Sequence, residues 1–284
     1  TQFYPGAVLA IITDLTDAIR SNDIELARQL LQQLGNTPFF QKEKPSPLDE
    51  ALQLSWYLSN VFYESLGHIF DYLDEHMSSR SEREALISIG FWPGGDRDGN
   101  PYVSSEITRS VADKLRARII ECYHGEVRSL RRRLSFSGVT HKIEAIEHQL
   151  HLELTNQIER CYGNPGELIT ELDSIRVILE NDFQGLFVEK IDSFKRKIHA
   201  FGFHFASLDI RQDSRIINKA LSDVFTHQPE LKPATFDNQD ELEQIESLLS
   251  LGGLVNLARI ENALSKDTLE SLYAIKEIQT ANGE

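Results

Sequence analysis

Apolar residues recur at three- and four-residue spacing along most of the chain, which predicts a largely helical protein. A Ser-Pro pair at 46–47 predicts an N-cap with proline at the first helical position. Asn22, with Glu25 three residues later, is expected to open a helix that stops at Gly35. The spacing predicts helices over 6–20, 22–35, 48–78, 105–134, 140–160, 166–182 and 184–199, with shorter helices after about residue 214.

Two stretches have the pattern of strands instead. Residues 85–92 form a short apolar run that leads directly into a glycine-rich loop. Aromatic residues alternate over 201–205, and apolar residues alternate in the opposite phase over 208–210, so a bulge is expected near 206–207. Short buried strands that end in charged residues, among many helices, are typical of an α/β barrel. The predicted fold is mainly α with a few short strands, as part of such a barrel.

Charge and composition exclude several classes of protein. Lys and Arg number 29 against 44 Asp and Glu, giving a net charge of −15, which argues against binding to nucleic acid or to anionic membranes. No apolar run reaches the length of a membrane-spanning helix. Two cysteines, Cys122 and Cys161, are too few for a disulfide framework and lack an activating motif, which favours a reducing cytoplasm.

The chain is interpreted as one mostly helical fragment of a larger protein. Its single methionine is Met77, so Thr1 is not an initiator position. All 284 residues are expected to belong to this fragment, with a possible helical sub-region over 110–195.

The loop at 93–101 carries the densest set of chemically useful side chains. Its sequence is Pro-Gly-Gly-Asp-Arg-Asp-Gly-Asn-Pro. Glycines allow the backbone to approach a ligand closely, and Ser104 or Ser105 is expected to cap the next helix, whose free N–H groups would suit an anion. A calcium loop fits poorly, because Pro101 and Ile107 occupy the positions of the turn glycine and of the bidentate glutamate. A tight turn with an internal Asp–Arg pair stays an open alternative.

Arg211 is the second candidate. An arginine at the end of an apolar strand is costly to bury unless it is paired, and Asp209 and Asp213 could provide that pairing as a purely structural feature. In the functional interpretation, the same guanidinium binds a phosphate or carboxylate.

The remaining polar clusters are interpreted as ordinary surface or core. His141, His148 and His151 share a helix face with Glu144, but no metal-binding pair of the HExxH type occurs. His204 lies between phenylalanines as a core or site-lining residue. A basic stripe is expected to be a solvated helix face, or to meet an anionic effector or a neighbouring acidic surface. It comprises Lys114, Arg116, Arg118, Arg128, Arg131, Arg132 and Arg133.

Three motifs resemble phosphoenolpyruvate carboxylase. Residues 91–101, Phe-Trp-Pro-Gly-Gly-Asp-Arg-Asp-Gly-Asn-Pro, resemble its tryptophan-containing glycine loop, and residues 208–214, Leu-Asp-Ile-Arg-Gln-Asp-Ser, resemble a strand end of that family. Residues 44–51 are similar to its proline-rich helix start, and the three motifs stand in the family's order. Thr1-Gln2 resembles the tail of the catalytic histidine motif, which places that histidine two positions before Thr1. The chain is thus similar to part of the family's N-terminal half.

The resemblance implies a cytoplasmic lyase that carboxylates phosphoenolpyruvate with bicarbonate to give oxaloacetate and phosphate. It implies Mg²⁺ or Mn²⁺ as cofactor and a homo-tetramer for the parent enzyme. The metal ligands belong to the C-terminal half of the barrel, which is missing here. This chain alone is therefore predicted to be inactive. No nucleic-acid or membrane partner is expected.

Site roles are carried over by position. The resemblance implies that Arg211 holds the substrate phosphate and that Trp92 borders the bicarbonate pocket. The catalytic set is Arg211, Asp96, Arg97 and Asp98, and the substrate-binding set adds Trp92, Gly94, Gly95 and Asn100.

Several positions depart from the family pattern. Pro93 replaces a methionine, Asp213 replaces a glutamate, and 3–6 replaces a stretch in which many members carry an arginine pair. These departures keep two alternatives open. One is a non-catalytic helical homologue that acts as an anion-binding or interaction module. The other is a helical scaffold whose glycine loop is only a turn.

Overall fold

The structure, a computed structural model, describes residues 6–39, 45–76 and 87–282. The chain divides into two compact units, Thr1–Ser46 and Pro47–Glu284. The predictions made for Thr1-Gln2, 3–5, Lys44, Met77 and the start of the strand at 85–86 lie outside the described residues.

The first unit contains a helical hairpin. Helix α1 spans Gly6–Arg20, as predicted, and α2 spans Ile24–Asn36. The cap of α2 is Asp23, whose Oδ1 accepts a hydrogen bond from the Leu26 N–H at 3.0 Å. Asn22 has a φ of 55° and belongs to the turn, so the predicted opening at Asn22 is wrong by one residue. The hairpin buries the apolar side chains of Ile11, Ala18 and Leu30.

The second unit is also mostly helical. The predicted helix over 48–78 begins at Pro47 as expected, and a π-helical turn, Leu58–Phe62, joins its two parts. Three short 3₁₀ turns, Pro229–Leu231, Phe236–Asn238 and Leu257–Arg259, separate the last helices. The helices are α3 Pro47–Tyr57, α4 Tyr63–His76, α5 Ser105–Arg133, α6 Thr140–Leu154, α7 Pro165–Asp182, α8 Val188–Phe201, α9 Ser214–His227, α10 Glu241–Ser250 and α11 Ala263–Asn282.

Two helix boundaries differ from the predictions because the backbone turns left-handed. Helix α6 stops at Leu154 instead of 160, and Asn156 follows with a φ of 55°. Helix α8 starts at Val188 instead of 184, after Gln184 and Phe187 with φ of 56° and 63°. A non-glycine residue with such a φ ends helical propagation, and apolar spacing alone does not reveal it.

The strand predicted over 201–205 is wrong. Phe201 is the last residue of α8, and a turn follows in which Gly202 and Phe205 have φ of 51° and 65°. Phe203 and Phe205 are both buried. The alternation of aromatic residues therefore reflects a tight turn that directs each ring into the core, and it imitates a strand with period two.

A parallel pair of short strands joins two distant segments of the second unit. Strand β1, Gly90–Phe91, is only the end of the predicted run, and β2 spans Ser207–Leu208. Gly90 lies opposite Ser207 and Phe91 opposite Leu208. The Ser207 N–H donates to the Ile89 carbonyl at 2.8 Å. Parallel pairing brings the carboxyl ends of both strands to one edge.

The prediction of a mainly α chain with a few short strands is confirmed. Across the described ranges, no helix has both the length and the apolar character needed to cross a membrane.

Helix α5 is the central element of the core. It packs against α3, α6, α8 and α11. The fully buried Tyr123 stands near its middle and contacts the rings of Phe194 and Phe203. Its hydroxyl donates a hydrogen bond to the Gly202 carbonyl at 2.6 Å. This bond attaches the turn before β2 to α5 and so fixes where β2 begins.

Replacing Tyr123 by Phe is expected to lower the free energy of unfolding by about 1–3 kcal/mol, because the buried Gly202 carbonyl loses its donor. Tyr102→Phe is the matched control, since Tyr102 is 71% exposed. The control is expected to change stability by less than about 0.5 kcal/mol. Urea unfolding of both variants tests this, and equal midpoints would contradict it.

Candidate functional site

The two candidate segments meet at the carboxyl ends of β1 and β2. After β1 the chain turns sharply, and the N–H groups of Gly95 and Asp96 donate to the Trp92 carbonyl at 2.9 and 3.1 Å. The Arg211 N–H donates to the Gly95 carbonyl at 2.9 Å, and the Arg97 N–H donates to the Arg211 carbonyl at 3.0 Å. Backbone hydrogen bonds thus join the glycine loop to the stretch after β2.

Arg211 is held by the carboxylates of the glycine loop. Its Nη2 and Nε lie 2.5 and 3.1 Å from Asp96 Oδ1, and its Nε lies 3.7 Å from Asp98 Oδ1. The Arg211 side chain is 60% exposed. The guanidinium is therefore oriented by two acids and accessible to a ligand from solvent.

The alternative pairing of Arg211 with Asp213 is wrong. Asp213 Oδ1 accepts from the Arg215 N–H at 2.8 Å and caps α9, and Asp213 Oδ2 lies 2.5 Å from Arg215 Nη2. Asp213 caps α9 instead, because a carboxylate at the N-cap position accepts hydrogen bonds from the free N–H groups of the first helical turn.

The pair at the site is charged. The hydrogen bond from Arg211 lowers the pKa of the Asp96 carboxyl, and the same contact raises the pKa of Arg211. At neutral pH, Asp96 is a carboxylate and Arg211 a cation.

Arg97 has the opposite environment. Its side chain is only 3% exposed, and its Nη2 pairs with the Asp267 carboxylate. Its Nε donates to Gln212 Oε1 at 3.1 Å. Its Nη1 is buried and has no hydrogen-bond partner within the described residues. Arg97 therefore connects buried parts of the site to one another, whereas the side chain of Arg211 is exposed to solvent.

Asp267 is the residue that sequence reasoning missed. It belongs to α11 and lies 170 positions from Arg97. Its Oδ1 also accepts the Ser105 N–H at 3.0 Å, at the start of α5. Burial raises the pKa of Asp267, but the hydrogen bonds from Ser105 and Arg97 outweigh it, and the net pKa is lowered. The anion expected at this helix N-terminus is thus a carboxylate of the chain itself.

Ser104, one of the two predicted caps, is the N-cap of α5. Its Oγ accepts a hydrogen bond from the Ile107 N–H at 3.3 Å. Asn100 closes the other side of the loop, where its N–H donates to the Asp96 carbonyl and its Oδ1 accepts from the Tyr102 N–H, both at 3.1 Å. The side chain of Asn100 therefore stabilises a turn.

Two glycines of the loop are required by close approach. A Cβ on Gly95 would lie 2.0 Å from the Asp209 carbonyl oxygen. Gly94 has a φ of 85°, and a Cβ there would lie 2.6 Å from Val111 Cγ2 on α5. Trp92, immediately before them, is 52% exposed at the same strand edge. The glycines allow the loop to lie between β2 and α5 with the tryptophan at its rim.

The sequence predicts no second site at the histidines of α6 or at the cysteines. His141, His148 and His151 are exposed, and the described part of the chain contains no group of three or more potential metal ligands. Burial raises the pKa of the Cys122 thiol to about 11, which leaves it protonated at neutral pH.

Most of the basic stripe is solvent-exposed, as expected, and Arg116 is the exception. Arg116 is buried and binds both oxygens of Glu153, at 2.7 and 3.2 Å. Arg131 lies 2.8 Å from Glu147. For Arg116 the expectation of a solvated face is wrong. The alternative of a neighbouring acidic surface is confirmed, because this side of α5 packs against α6 and its acids.

Gly95→Ala is expected to lower the free energy of unfolding by more than about 2 kcal/mol, because β2 and the loop must separate to admit the methyl group. The matched control is Gly125→Ala, an open position within α5 with nothing within 4 Å of the new Cβ. There alanine is expected to raise stability by about 0.5–1 kcal/mol. Urea midpoints that move in the same direction would contradict this account of the loop.

The site can be compared with known proteins. The family model for phosphoenolpyruvate carboxylase matches residues 10–157 and 139–284. Proteins named phosphoenolpyruvate carboxylase from Shewanella loihica and Parasynechococcus marenigrum are 26% and 27% identical over 290 and 297 residues. These matches cover 87% and 81% of this chain but 32% and 29% of the relatives.

A relative from Bradyrhizobium diazoefficiens is 24% identical over 251 residues, which cover 73% of this chain and 27% of the relative. The chain thus spans about a third or less of the curated relatives it matches. Together the two family matches extend over nearly all 284 residues, and the chain belongs to the phosphoenolpyruvate carboxylase family.

Proposed function

We propose that these residues form part of an enzyme that carboxylates phosphoenolpyruvate with bicarbonate, giving oxaloacetate and phosphate. Family membership supports the reaction class. The observation that carries the proposal is Arg211, an exposed guanidinium oriented by two carboxylates at the strand ends. In this proposal the chain contributes one wall of the site and is inactive alone.

Arg211 is suited to the substrate's phosphate. A guanidinium presents N–H donors in a fixed plane that matches phosphate oxygens, and it stays charged throughout the pH range of enzymes. Asp96 holds one edge of that plane. In the proposed enzyme this arrangement fixes the direction in which Arg211 meets the phosphate and stabilises negative charge during transfer to bicarbonate.

The other predicted residues have supporting roles in this proposal. Trp92, at the rim, would border bicarbonate and limit the access of water. Asp96 and Asp98 would orient Arg211, and Arg97 would hold the floor. Gly94, Gly95 and Asn100 would shape the loop.

Within the described part of the chain, the available donors do not fit the expected Mg²⁺ or Mn²⁺. No cluster of three or more His, Cys, Asp or Glu side chains capable of holding a metal occurs within residues 6–39, 45–76 and 87–282. Asp96 and Asp98 already serve Arg211. We assign no metal ligand to these residues and place the cofactor in the remainder of the proposed enzyme.

The parallel pair of β1 and β2 supports a place for this chain in an α/β barrel. The connection between them contains α5 to α8, and the polar residues gather at the carboxyl ends, as in barrel enzymes. We propose that the C-terminal half of the enzyme completes the barrel, that the parent assembles as a homo-tetramer, and that it acts in the cytoplasm.

Arg211→Lys tests the proposal in the protein expressed from the whole reading frame that contains these residues. Lysine keeps the charge but loses the planar fork, so kcat/KM for phosphoenolpyruvate is expected to fall about 100-fold, equivalent to two hydrogen bonds of ~1.5 kcal/mol. Oxaloacetate formation is followed through its NADH-linked reduction.

Arg215→Lys is the matched control, since Arg215 is an exposed arginine four residues away that pairs with Asp213. It is expected to stay within about threefold of the wild type. Unchanged kinetics in Arg211→Lys would contradict the proposed role. Binding of phosphoenolpyruvate without any turnover by the wild type would instead support the non-catalytic anion-binding homologue, and turnover by the 284-residue chain alone would contradict its inactivity.

A further inference from the structure

Asp267 of α11 contacts both the glycine loop and the start of α5. Its carboxylate pairs with Arg97 of the glycine loop and accepts the Ser105 N–H at the start of α5. A second acid of α11, Glu270, lies 3.4 Å from Ser105 Oγ. The start of α11 is therefore attached to the glycine loop and to the start of α5.

The path from Asp267 to Arg211 is short and continuous. Arg97 uses Nη2 for Asp267 and Nε for Gln212, the residue after Arg211. The Arg97 N–H also donates to the Arg211 carbonyl at 3.0 Å. The Arg97 side chain thus contacts the side chain of the residue after Arg211, and the Arg97 backbone contacts Arg211 itself.

Asp267 also balances the charge of Arg97. Arg97 is almost completely buried, and a buried cation without a carboxylate is strongly unfavourable. The acids nearest to it in the sequence are Asp96 and Asp98, which hold Arg211. Loss of the Asp267 charge would leave Arg97 buried without a paired carboxylate.

We propose that Asp267 is a positioning residue for the phosphate-binding arginine. It neutralises Arg97 and keeps that guanidinium on Gln212, the residue next to Arg211. The inference rests on the proposed function, since it assigns Asp267 to the same site. It adds a residue of α11, outside the recognised motifs, to the determinants of phosphoenolpyruvate binding.

Asp267→Asn in the whole protein tests this. It is expected to raise the KM for phosphoenolpyruvate about tenfold to 100-fold, as for a misplaced binding group, with a smaller change in the KM for bicarbonate. Asp267→Glu keeps the charge and is expected to recover most of the loss. A purely structural role would move the urea midpoint without this division between the two KM values.

Asp71→Asn is the matched control. Asp71 of α4 forms another inter-helix pair, with Arg196 Nη2 at 2.5 Å and Nε at 3.2 Å. It is expected to lower the urea midpoint and leave both KM values unchanged. If Asp267→Asn behaves in the same way, the positioning role is overturned.

Gln212→Ala keeps the proposal testable if Asp267→Asn does not fold. It removes the contact with Arg97 Nε while the buried ion pair stays intact. The KM for phosphoenolpyruvate is expected to rise several-fold, and an unchanged KM would overturn the path from Arg97 to Arg211. Arg211→Lys separates the two hypotheses. Unchanged kinetics in that variant refute the phosphate-binding role of Arg211, whereas a large loss there beside a silent Asp267→Asn refutes the positioning role alone.

Discussion

The site depends on the close approach of the glycine loop to the backbone that follows β2. At Gly95 the two chains are so near that a Cβ would lie 2.0 Å from the Asp209 carbonyl oxygen. This proximity permits the hydrogen bonds that join Gly95, Arg97 and Arg211. These backbone hydrogen bonds fix the positions from which the side chains of Arg97 and Arg211 extend.

As a consequence, Arg97 and Arg211 have different environments. Arg97 is buried, and its charge is balanced there by the carboxylate of Asp267. Arg211 is exposed, and Asp96 and Asp98 orient its guanidinium without covering it. Two cations and three carboxylates thus form a network with an inward and an outward part. The outward part is available to an anion, because its acids are bound at one edge of Arg211.

Local sequence features were sufficient for most helices and for the motif-bearing loop. Apolar spacing located α1 and α5 closely, since each buries one face against neighbouring helices. It failed at Phe201–Phe205 because a turn can bury alternate aromatic residues as a strand does. The pairing of Asp213 with Arg215 and the burial of Arg116 were missed for a related reason, since each depends on which helix starts or packs nearby.

Asp267 could not be found in this way. It occupies a helix whose buried residues, such as Ser265, Thr268 and Ser271, are mostly small or polar. Its role arises from contacts with residues more than 160 positions earlier. The signal in the sequence was indirect: Arg97 stands in a loop that folds into a core and therefore needs a partner. Pairing between distant segments follows from the fold and not from local pattern.

The most direct measurement is a titration of the protein with phosphoenolpyruvate, followed through the ¹⁵Nε resonances of its arginine side chains. The account predicts that the Arg211 resonance shifts progressively and saturates, that Arg97 moves little because it is buried on Asp267 and Gln212, and that Arg215 stays in place. Equal small shifts at all exposed arginines, with none specific to Arg211, would contradict the claim that the strand ends present an oriented phosphate-binding guanidinium.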